Sequence, residues 1–111
     1  MNSKYKLNNK VFIYGMVDVK DQLDDNTRKE GLIKFAFSKI IPLGNKTVKT
    51  RDIATEYNEH KFKFIFRYLT VKDIQKDWYF LFDNLKYKVD YWNPDFTNHE
   101  YIEVFTTLIQ E

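Results

Sequence analysis

Lys61-Phe62-Lys63-Phe64-Ile65-Phe66-Arg67-Tyr68 places Phe62, Phe64, Phe66 and Tyr68 on one side of an extended backbone. Lys61, Lys63 and Arg67 fall on the other, with Ile65 among them. Successive side chains of a strand point to opposite faces, so this alternation describes a strand with one face in a core. The stretch therefore decides for β-structure, and the segments on either side are read against it.

Upstream lies a polar stretch, residues 43–60, eighteen residues long. Loops beyond about 12–15 residues are uncommon in compact domains and are usually functional or disordered. The stretch reads as a long loop between the second and third strands, and its second half, residues 50–60, is compatible with a short helix. Before it, residues 32–43 alternate: Ile33, Phe35, Phe37 and Lys39 on one face, Leu32, Lys34, Ala36, Ser38 and Ile40 on the other, with Pro42 and Gly44 as terminators. Residues 20–30 read as a charged loop and residues 10–19 as a first strand. Gly15 within that strand points to a bulge or a close approach. Residues 1–9 are polar and are expected to form a flexible arm ahead of a single β-domain spanning residues 10–111.

Downstream, residues 70–76 form a polar connector and Trp78-Tyr79-Phe80-Leu81-Phe82 follow, apolar on both faces. Asp83-Asn84 is a tight turn into residues 85–91, a hairpin signal without the glycine usually second in such turns. Asn93-Pro94-Asp95 breaks that strand, and residues 100–109 alternate again. Six strands without a long helix predict a small all-β barrel or sandwich with a long loop between strands 2 and 3. Several strands are apolar on both sides. A barrel has one inside, so the outer surplus calls for a cover, and another subunit is the simplest.

Composition agrees. The chain has 111 residues, 43% hydrophobic and 31% charged, in the range of globular domains. Aromatics reach 18%, with ten Phe and eight Tyr, which suits pleated surfaces. A net charge of +2 is too balanced for bulk charge to imply nucleic-acid binding. Without cysteine, a disulfide scaffold, a zinc-thiolate site and thiol catalysis are excluded. Lys4, Lys6 and Lys10 precede a short apolar run, but no small-residue cleavage site follows, so the run reads as a strand. Nothing approaches the ~20 apolar residues that span a bilayer, and no membrane partner is expected.

Catalytic groups are sparse. His60 and His99 lack ligand spacing, three glycines cannot build a phosphate-cradling loop, and Asp24-Asp25 sits in a charged loop where solvated side chains are the simpler account. No enzyme and no cofactor are expected. Lys39, Lys46, Lys49 and Arg51 cluster without an acid between them. They are either a solvated loop or a face turned to a polyanion, whose weak contacts a ring of subunits would multiply. On the Trp78 to Phe82 stretch, one face is core. The other is an intersubunit surface, carried either by Trp78, Phe80 and Phe82 or by Tyr79 and Leu81.

The order of motifs resembles the head–tail joining (head completion, or stopper) proteins of long-tailed phages of Gram-positive hosts. The likeness lies in Phe35-Ala36-Phe37-Ser38-Lys39-Ile40-Ile41-Pro42-Leu43, which follows an aromatic–Ala–x–x–I–x–P–L strand with one extra residue. It continues with an H-x-F-x-I-x-R-Y strand matched from His60 to Tyr68 with one insertion, a hairpin into Tyr87-Lys88-Val89, the Asn93-Pro94-Asp95 turn, and Glu100-Tyr101-Ile102-Glu103-Val104. It covers nearly the whole chain. No single motif is specific; order, spacing and length carry it together. The family often has Trp where this chain has Phe35, and Asn-Gly or Asp-Gly where it has Asp83-Asn84.

The resemblance implies a non-enzymatic virion protein, assembled in the bacterial cytoplasm into a dodecameric ring in the neck. A free monomer that forms the ring only on its adaptor is the alternative state. The implied neighbours are the portal–adaptor on the head side and a tail-completion or tail-terminator protein on the tail side. Packaged double-stranded DNA passes through the channel, with residues 43–60 facing it and helping to retain the DNA. On this basis Lys46, Lys49 and Arg51 are the expected DNA-proximal residues. The rival readings are a tail-terminator ring protein and a monomeric nucleic-acid-binding β-module.

Overall fold

A computed structural model describes residues 5–20, 26–49 and 56–109. Six strands close into an antiparallel barrel in the order β1-β2-β3-β6-β5-β4. They are β1 (Asn9–Lys20), β2 (Asn26–Lys49), β3 (Glu56–Arg67), β4 (Tyr79–Phe82), β5 (Leu85–Pro94) and β6 (Tyr101–Leu108), with a single helical turn, α1 (Tyr68–Val71), after β3. The six-stranded all-β expectation holds, and closure makes it a barrel.

The alternation of β3 sets the core. Phe64 and Phe66 are fully buried, and their rings lie 5.0 and 5.1 Å from that of Phe80 on β4. Tyr87 on β5 meets Phe62 and Phe64 edge-on, each at 5.1 Å. Val11, Ile13, Ala36, Val89, Ile102 and Val104 fill the remainder. Two buried hydroxyls are satisfied, Ser38 Oγ donating to the Ile65 carbonyl at 3.0 Å and Thr106 Oγ1 to the Phe62 carbonyl at 3.1 Å, whereas the buried Tyr101 hydroxyl has no hydrogen-bond partner among the described residues. Ile65, buried on the outer side of β3, is the exception to its polar face.

The end of α1 and the connector after it pack Val71, Ile74 and Trp78 into the core. Lys34 fastens it, donating from Nζ to the Thr70 carbonyl at 2.6 Å and pairing with Asp73 at 2.9 Å. The expected close approach at Gly15 is with Trp78: a Cβ there would stand 2.7 Å from Trp78 Cδ1 and 2.6 Å from Ile33 Cδ1. The β4–β5 turn is the expected tight one. Asp83 and Asn84 both take positive φ (54° and 62°), a conformation that Asp and Asn tolerate better than most residues and that matches the twist of paired strands. Asp95 closes β5, its carboxylate accepting from the backbone of Thr97 and Asn98.

Two expected loops are largely strand. Most of residues 43–60 is a continuation of β2 paired with β3, out to Lys49 opposite Glu56, so neither a long loop nor a helix fills it; residues 50–55 lie outside the described residues. Likewise β1 and β2 pair out to Lys20 opposite Asn26, where a charged loop was expected. Polar and charged residues masked both, because a ribbon with no core beneath it needs no hydrophobic alternation. At about 3.3 Å per residue, the 24 residues of β2 would run about 79 Å if straight. The longest dimension of the molecule is 49 Å, so β2 bends. Register shifts supply the bends, one leaving Ile33 unpaired and one between Pro42 and Gly44, where Gly44 takes φ +90°. Tyr5, within the expected flexible arm, packs edge-on against Tyr101 at 5.0 Å.

Candidate functional site

Two features leave the barrel: a ribbon and two aromatic walls. The ribbon is the outer part of β2 and β3. Pairing of β2 with β1 begins at Ser38, and pairing of β3 with β6 begins at Lys61 opposite Thr107. From Asn45 and His60 outward the two strands therefore pair only with each other.

Lys46 lies in this ribbon opposite Glu59, and Lys49 opposite Glu56. In register, Lys46 and Lys49 of the basic cluster thus stand opposite acidic residues of the returning strand, which linear sequence does not bring together. Arg51 lies outside the described residues. At the ribbon's root, Lys61 Nζ reaches Glu59 at 3.1 Å and Asp90 at 3.4 Å and donates to Thr107 Oγ1 at 2.7 Å, while Thr107 donates to Asp90. Burial works to lower the Lys61 pKa, but hydrogen bonds and charges from Glu59 and Asp90 outweigh it and leave it above the ordinary 10.5. Lys61 is therefore a permanent cation that ties β3, β5 and β6 together where the ribbon departs.

The stretch from Trp78 to Phe82 resolves into its two faces. Trp78 and Phe80 are core residues and Phe82 packs against the core, so these three do not form an outward surface; Tyr79 and Leu81 do lie outward. Tyr79 stacks on Tyr14 at 5.1 Å. Its pKa is pushed up to about 12, first by burial and then by its hydrogen bond to Glu30. The outer wall continues through Phe12, opposite both Leu81 and Phe35, and Phe37 opposite Lys10. Phe35 and Phe37 are half exposed. The second aromatic feature is on β5 and β6, where Tyr91 and Phe105 stack at 4.4 Å.

Sequence reading expected an outer apolar surplus but located it only on the Trp78 to Phe82 stretch. The signal for the larger surface was present in Phe35 and Phe37, whose intervening neighbours Ala36 and Ser38 are small enough to pack inside. Among the described residues, no group of three His, Cys, Asp or Glu is placed to hold a metal.

No family model and no curated protein matches the chain. Among solved structures, it is similar to a chain in the virion of a native gene transfer agent particle. The two share 10% sequence identity, with a TM-score of 0.70 over 96% of this chain and 98% of that one. At that identity the likeness is one of fold, and it extends over nearly the whole of both chains.

Proposed function

We propose that this chain is a structural, non-catalytic protein of a phage-type virion, forming a ring in the neck between the portal–adaptor and the tail. The observation that carries the reading is the end-to-end likeness of fold to a chain of a virion particle, with almost nothing added or missing on either side. The motif order read from the sequence supports the head–tail joining role within that class. The ribbon of β2 and β3 supports it further, since a two-stranded projection from a rigid barrel can reach toward the axis of a ring.

In this reading the ribbon and residues 50–55 face the channel through which double-stranded DNA passes. Lys46 and Lys49 lie opposite Glu59 and Glu56 in register, so the net positive charge of the ribbon is smaller than its lysines alone suggest. This favours retention by steric crowding at the axis over phosphate binding, and Arg51 is the remaining DNA-proximal cation of the proposal. The test is a deletion of residues 48–57 in assembling particles. Filled heads carrying the shortened chain are expected to leak DNA to nuclease. Retention equal to that of the intact chain sinks the gate role.

A further inference from the structure

We propose that copies of this chain meet head to tail, with the outer wall of β4, β1 and β2 in one copy seated on the outer wall of β5 and β6 in the next. The proposal rests on the ring reading above and adds which surfaces meet.

A closed barrel has no free strand edge, so copies of its body cannot join by extending the sheet. Free edges remain on the polar ribbons beyond the body, whereas the apolar surplus lies on its walls. Around the six strands β6 stands opposite β1, so the Tyr91–Phe105 stack is on the far side of the barrel from the wall centred on β1. Two unlike apolar surfaces on opposed walls are what a heterologous contact uses, and such a contact closes as a ring when its rotation brings the last copy back to the first and otherwise runs on as a filament. Pairing two copies of the first wall would stop at a dimer and leave the stack bare.

Area favours a protein partner of ordinary size. Phe12, Phe35 and Phe37 are 36, 50 and 49% exposed, and Leu32 and Met16 on the same face are 52 and 37% exposed. With about 200 Å² for each large side chain, this is about 450 Å² of apolar surface. One side of a standard interface buries about 800 Å², of which about 57% is apolar, again about 450 Å². Charge does not select the partner: Lys10 lies over the Phe35 ring at 4.3 Å, and on the opposite wall Asp90 and Glu103 are already paired with Lys61 and Lys63, with Lys63 over the Phe105 ring at 5.9 Å.

The chain has no cysteine, so introduced thiols report contacts without background. Phe37→Cys and Tyr91→Cys would be made singly and together, then treated with a flexible bismaleimide in concentrated protein and in purified particles. The double variant is expected to give a ladder of multimers, each single variant only monomer, and a mixture of the two singles a dimer with nothing larger. Dimers from Phe37→Cys alone would mean like-to-like pairing and overturn the proposal, as would no cross-link in either setting. A chain present in particles yet unlinked refutes this contact and leaves the virion reading standing. A ladder in solution from a chain absent from particles does the reverse.

Discussion

From Lys39 to Pro42, β2 pairs with β3 over a packed core; from Asn45 to Lys49 the same two strands continue as a ribbon with no third strand beside them. In the first region the aromatic cluster of Phe62, Phe64, Phe66, Phe80 and Tyr87 fixes the backbone. In the second, the described contacts are cross-strand bonds and a charged root at Lys61. A two-stranded hairpin is marginal by itself in water, so the ribbon depends on the barrel, while the barrel does not depend on the ribbon.

That asymmetry can be broken most severely from inside. Phe64→Ala removes the ring shared by three aromatic neighbours and is expected to cost about 3–5 kcal/mol in urea unfolding. A loss under 1 kcal/mol, against that expectation, would mean that the cluster does not organise the barrel. Next comes Gly15→Ala, whose methyl group would collide with Trp78 and Ile33; about 1–3 kcal/mol is expected by the same measurement. Unchanged stability would show that Trp78 has room to move.

A smaller effect is set by pH. Tyr79 keeps its proton up to about 12 in the folded chain, against 10.0 for the ordinary group, so in that window the folded state binds more protons than the unfolded one. Stability from this source is complete below pH 10 and declines as pH rises toward 12. Tyr79→Phe is expected to flatten part of that decline in unfolding curves taken across the window; an unaltered slope would place the proton elsewhere. Least of all, replacing residues 48–57 with a two-residue turn is expected to change barrel stability by less than about 0.5 kcal/mol. A large loss would erase the distinction between the two regions.

What the sequence made legible follows the same division. Wherever a strand has a core on one side, as at Phe62, Phe64 and Phe66, periodicity located it. The Asp83-Asn84 turn was readable because it needs residues that accept positive φ, and the close approach at Gly15 because the space there admits no side chain. The ribbon was not readable, since strands without a core leave no hydrophobic period, and its cross-strand matches of Lys46 with Glu59 and Lys49 with Glu56 exist only once the register is known. The outward wall was half legible: two-sided apolar strands announced a surplus, but Trp78 and Phe80 could be assigned to the inside only when the bulge and turn positions fixed which residues face in.

The length of β2 has a mechanical consequence. One unbroken strand runs from the β1 hairpin, through the barrel wall, to the ribbon. A load along the ribbon's axis is carried in shear by every rung joining β2 to β1 and β3 to β6, and those rungs must yield together. A load across the axis meets the bend at Pro42 and Gly44, where one rung is already out of step. The projection is thus stiff to thrust and compliant to deflection, a spring leaf clamped in a rigid block.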